Sequence, residues 1–139
     1  MKSVVLLDCG ASRDFISQTE VNKRKLPVSP LSHKIRIVLA DGRTTVATQQ
    51  CTITFTVNAA TFTRTCIVIQ MNSAYDIILG MPFLTEVNPI IDWKLKHWKT
   101  PDMTFPLVCD DKPRDISLNI ISANAMARSI RKNTDRPVN

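Results

Sequence analysis

The residues best placed to do chemistry stand near the start of the chain, where VVLLDCGAS (residues 4–12) runs four apolar residues into an aspartate, a cysteine and a glycine. The apolar run reads as a buried strand, and a carboxylate at its end is costly to ionise unless hydrogen bonds or a second charge compensate. No Lys or Arg adjoins Asp8 in sequence. A second carboxylate close enough to share a proton would resolve the difficulty, leaving one base and one acid for attack by water. Gly10 suits a loop that turns backbone N–H groups towards a carboxylate, because it has no Cβ. The chain holds one Asp-x-Gly, so the second carboxylate would come from an identical chain across a two-fold axis. On these residues alone the plainer reading, an Asp capping a turn after a strand, stays open.

The other candidates are weaker. Asp76 and Asp92 also adjoin apolar residues, yet neither precedes a glycine, and both read as structural. His33 and His97 lie in polar surroundings, and nothing in sequence would orient either as a base for Cys9. The four cysteines, Cys9, Cys51, Cys66 and Cys109, form no CxxC pair and have no His at ligand spacing, so neither a metal site nor a disulfide framework is expected. A reducing compartment follows, and no cofactor is implied. The formal net charge of +6 is compatible with RNA nearby, but no stacking aromatics interleave with the basic clusters at 23–25, 94–99 and 128–136, which read as solvated surface. No apolar run approaches the roughly 20 residues that cross a bilayer, so no membrane partner is expected.

The elements that must position Asp8 are strands. A length of 139 residues suits one domain. Aromatics are few at 6%, which leaves Val, Ile, Leu and Met to build the core and favours β-structure. KIRIVLADGRTTVAT alternates on both sides of Asp41-Gly42, a strong hairpin signal. CTITFTV and FTRTCIVI form a second pair around residues 58–61, with Ile53, Phe55 and Val57 on one face. In AYDIILGMPFLTEVNP an apolar strand is closed by Gly80, Pro82 opens a short helix and Pro89 follows it. IIDWKLKHWKT reads as a further strand or two. From Thr100 prolines punctuate a polar segment, and residues 122–132 read as a short basic helix. Residues 1–99 are therefore expected to be the domain and 100–139 an extension.

Taken together, LLDCGASRDFIS, the LADG hairpin and YDIILGMPFLTEVNPIIDW resemble, in order and spacing, the retropepsin-like aspartic proteases of retroviruses and, more closely, of gypsy-type LTR retrotransposons. The resemblance covers most of residues 4–93. It implies an all-β, closed-barrel-like fold with one short helix, and an endopeptidase cutting its own polyprotein. It also implies a homodimer in which Asp8 of each copy forms the catalytic dyad, with Cys9 and Gly10 in the active-site loop. Ala40, Asp41 and Gly42 match a flap over an extended peptide; Gly10, Ala11 and Ser12 match the cleft, and Ile78 a pocket wall. The setting implied is cytoplasmic, including virus-like particles, with a polymerase region following residues 119–128. Two departures stand out. Cys9 occupies a position where the family carries Ser or Thr, whose hydroxyl braces the paired loops, and a thiol is a weak donor. Only seven residues precede Asp8, fewer than the family's usual upstream strand. Both departures favour an alternative in which the fold serves as a binding or dimerisation module with little or no activity.

Overall fold

The computed structural model describes residues 3–39, 41–71 and 74–107, together with the backbone of 118–120. Among these residues ten strands and two short helices follow one another as β1 (Ser3–Leu7), β2 (Phe15–Ser17), α1 (Gln18–Arg24), β3 (Ser29–Val38), β4 (Thr44–Val57) and β5 (Ala60–Ile69). Then come β6 (Ile77–Leu79), α2 (Met81–Val87), β7 (Ile90–Asp92), β8 (His97–Lys99), β9 (Thr104–Pro106) and β10 (Leu118–Ile120). Seven strands share one sheet in the order β10-β1-β6-β2-β5-β4-β3, and β7-β8-β9 form a second. Among the described residues no pairing joins the end strands β10 and β3. The all-β expectation holds, and of the two short helices α2 is the one that Pro82 was expected to open.

The apolar runs at the sheet's centre follow from burial on both faces, where strands lose the in-out alternation of a half-exposed sheet. Successive residues feed opposite cores. Val5, Leu7, Ile16, Ile77 and Leu79 join one core, which extends to Phe83 and Trp98. Leu6, Phe15 and Ile78 join the other, with Ala11 and Ile37. The β4–β5 hairpin has the opposite pattern beyond Cys66: Thr52, Thr54 and Thr56 face Thr65, Thr63 and Thr61 on its outer side, with hydroxyls 2.9, 3.0 and 3.4 Å apart. Asn58 turns that hairpin at φ 53°, a left-handed conformation that Asn tolerates.

Packing continues past Lys99. Trp98 and Phe105 pair across β8 and β9, stack at 4.2 Å between ring centroids, and are both fully buried. Leu107 belongs to the same core. Trp93, in contrast, is 56% exposed. The backbone of β10 lies parallel to β1 in the register Ser3↔Leu118. The helix expected at 122–132 lies outside the described residues, as does Ala40.

Candidate active site

β1 and β6 run parallel in the register Val5↔Ile77, Leu6↔Ile78, Leu7↔Leu79, so the Asp8 loop and the Gly80 turn emerge side by side from the same end of the sheet. Backbone bonds then join the two. The Asp8 N–H donates to the Leu79 carbonyl at 2.9 Å, and the Met81 N–H to the Ala11 carbonyl at 2.8 Å. Within the loop, the Ala11 N–H donates to the Asp8 carbonyl at 3.1 Å. The Gly10 N–H donates to Asp8 Oδ1 at 2.8 Å. Asp8 is 2% exposed. A carboxylate this enclosed needs donors, and the loop supplies one from its own backbone two residues on.

A second buried carboxylate, Asp14, sets the position of the loop. Its Oδ1 accepts from the Gly80 N–H at 2.7 Å. Its Oδ2 faces Arg64 of β5, with Nε at 3.0 Å and Nη2 at 2.9 Å. The Asp14 carbonyl accepts from the Ile67 N–H at 2.8 Å, which fixes the loop's far end to the same strand. Arg64 is itself held by Glu86 of α2, and its guanidinium carbon lies 5.8 Å from the Phe83 ring centroid. One arginine thus connects the Asp8 loop, β5 and α2.

Gly80 is required for space. Its backbone (φ −99°, ψ −156°) is open to any residue, but a Cβ there would lie 2.4 Å from the Arg13 carbonyl oxygen and 2.6 Å from that of Ala11. Both are backbone atoms of the Asp8 loop and cannot swing aside as a side chain could. Gly80→Ala is expected to destabilise the domain by about 2–3 kcal/mol, read as a lower urea midpoint. An unchanged midpoint would show that the two turns are not packed this closely.

The remaining candidates fall into two groups. Gly10 is buried beside Asp8, and Ala11 and Ile78 pack in the same core. Ser12 is half-buried. Cys9 is half-buried, and burial first, then the neighbouring Asp8 charge, pushes its thiol up from the ordinary value. A thiol held protonated is a poor nucleophile, which disfavours Cys-His chemistry. Separately, Asp41 and Gly42 sit at the exposed tip between β3 and β4. Gly42 adopts φ 86° and donates to the Leu39 carbonyl at 2.9 Å. Asp41 Oδ1 accepts from the Arg43 N–H at 3.0 Å and Oδ2 from Arg43 Nε at 2.5 Å; the Arg43 N–H bond leads the causes that lower the Asp41 carboxyl. Among the described residues no cluster of His, Cys, Asp and Glu could hold a metal ion.

A family model, the PEG10/RTL1 protease domain, matches residues 4–109. The chain belongs to this family. No curated protein matches this protease domain. Among solved structures it is similar to the retroviral protease-like domain of Ddi1 from Leishmania major, at 16% identity and a TM-score of 0.47, over 78% of this chain and 86% of that one.

Asp14 and Arg64 brace the candidate site, and neither stands among the residues expected from the sequence. A signal was present for Arg64. The alternation along β5 buries Phe62, Arg64 and Cys66 to different degrees while Thr61, Thr63 and Thr65 stay exposed. A cation on the inward face of a strand requires a buried acid.

Proposed function

We propose that this protease domain is an aspartic endopeptidase whose dyad is two Asp8 carboxyls, one from each chain of a homodimer, acting on extended segments of its own retroelement polyprotein. Asp8 buried in a loop that spends a backbone N–H on one oxygen is the observation that carries the reading. One carboxylate takes a proton from a shared water while the other, protonated, donates to the peptide carbonyl. The resulting tetrahedral intermediate collapses as the amine leaves with a proton. Gly10, Ala11 and Ser12 would meet substrate backbone, Ile78 would wall a pocket, and the tip at residues 40–42 would close over the peptide and exclude water.

The test is cleavage of the polyprotein at mildly acidic pH as the enzyme is diluted. Specific activity should fall on dilution in step with dissociation in sedimentation, and pepstatin should block it. Cleavage by a species that sediments as a monomer would overturn the shared dyad.

Cys9 supports a second reading, a protease-like module that binds or dimerises with little turnover. Cys9→Ser restores a hydroxyl donor to the loop. Under the enzyme reading it is expected to tighten the dimer by roughly 1 kcal/mol per chain, measured by sedimentation, and to raise activity at limiting concentration. If the serine variant dimerises tightly yet cleaves nothing, the binding module is the better account.

A further inference from the structure

At the end of the β1–β6 pair opposite the Asp8 loop, polar side chains converge on one buried, charged helix residue. Glu20 is 2% exposed. Its Oε2 accepts from the Ser3 hydroxyl at 3.0 Å, and its Oε1 lies 2.6 Å from Arg24 Nε. Arg24 Nη2 also reaches the Ser3 hydroxyl, at 2.6 Å. Against this cluster stands Asp76, directly before β6, whose Oδ2 accepts from the Val4 N–H at 2.8 Å, one residue along β1 from the Ser3 that holds Glu20. Two carboxyls enclosed in one cluster repel each other unless a proton lies between them. With Oδ2 taken by the Val4 N–H, the other Asp76 oxygen is the one left to carry that proton.

Asp76 is also a junction of the main chain. Its N–H donates to the Val4 carbonyl at 2.8 Å, and its carbonyl accepts from Ser17, the residue before α1, at 2.9 Å. β1, β2, α1 and β6 therefore meet at this residue. Ser17 opens the helix by accepting from the Glu20 N–H at 3.0 Å.

We propose that Asp76 and Glu20 share a proton that fastens α1 to the β1–β6 strand pair, so that the domain is held more tightly in acid than at neutral pH. The groups facing Asp76 are Glu20, Lys23 and Arg24 of α1, Ser3 and the Val4 N–H of β1, and Ser17 at the end of β2, with Tyr75 its chain neighbour. The groove beside the cluster, about 350 Å³, is walled on its β4 side by Thr52, Ile53, Thr54, Phe55 and Thr56, none of which titrates at neutral pH or below. Burial first, and the neighbouring Glu20 carboxyl after it, raise the Asp76 carboxyl; the Val4 N–H and Lys23 act against them. The sign follows. A carboxyl raised in the folded state contributes stability that is complete below its unfolded pKa and lost as pH rises through its folded pKa.

The experiment is urea unfolding of the full chain from pH 4 to pH 8, which needs no substrate and so stands or falls apart from the protease reading. The folding equilibrium constant of the wild-type chain should fall with pH above the ordinary aspartate range by up to about tenfold per pH unit, the limit for one proton. Asp76→Asn, whose amide can donate to Glu20 and accept from Val4 at every pH, should remove that dependence and exceed the wild type in stability at pH 8. Parallel pH profiles for the two chains would overturn the proposal. Should the variant not fold, carboxyl-carbon NMR of the wild type decides the matter: Asp76 titrating above the ordinary aspartate range supports the shared proton, and titration at or below that range excludes it.

Discussion

Asp8→Asn is expected to lower peptide cleavage by about 10²–10⁴-fold while leaving the domain folded and its association unchanged. The substitution is nearly isosteric, and the amide oxygen can accept the 2.8 Å bond that the Gly10 N–H gives to Oδ1. The fold therefore loses little. The chemistry loses both of its parts, because each chain of the proposed dimer contributes the same residue, and one codon change removes acid and base together. Groups that act as a unit do not lose activity additively, so no residual half-rate is expected. The measurement is initial rate on the polyprotein beside a sedimentation profile. A variant that keeps its dimer and loses its rate supports the dyad; one that cleaves at the wild-type rate removes Asp8 from the mechanism.

The Asp8 loop was readable because its parts are contiguous: an apolar run, a carboxylate and a glycine within seven residues. The same holds for the hairpin tip, where Asp41-Gly42 supplies the φ of 86° that the turn needs, and for α2, bracketed by Gly80, Pro82 and Pro89. Periodicity also gave Ile53 and Val57 on one buried face.

What escaped the sequence depends on partners far along the chain. β2 has three residues and no local signal; it exists because β5 pairs with it in parallel and β6 antiparallel. β9 lies in a proline-punctuated segment read as an extension, yet Pro106 is tolerable at the end of an edge strand and Phe105 finds Trp98 across the ladder. α1 opens on Ser17-x-x-Glu20, the form of a capping box. Half of the box is present: Ser17 accepts from the Glu20 N–H. The Glu20 side chain instead turns to Ser3 and Arg24, and the Ser17 N–H goes to Asp76. That exchange of a local bond for tertiary ones could not be read from four residues.

Asp14→Ala tests whether the long-range part of the site matters as much as the contiguous part. Two losses coincide at Asp14. The Gly80 N–H loses its acceptor inside the structure, which costs about 1–3 kcal/mol for a buried donor left unpaired. Arg64, with its side chain 13% exposed, loses its buried carboxylate, and breaking such a pair from one side costs about 3–5 kcal/mol. Glu86 cannot make up the difference, because its side chain is 68% exposed and an ion pair reaching into solvent is worth at most about 1 kcal/mol. The two losses share one site and overlap, so about 3–5 kcal/mol in total is expected, a large part of an ordinary domain's stability. Urea unfolding at neutral pH reads it. Asp14→Asn keeps an acceptor for Gly80 and should cost less. Adding Arg64→Met to Asp14→Ala removes the stranded cation and should recover part of the loss, whereas strictly additive costs in that double variant would show that Asp14 and Arg64 do not act together.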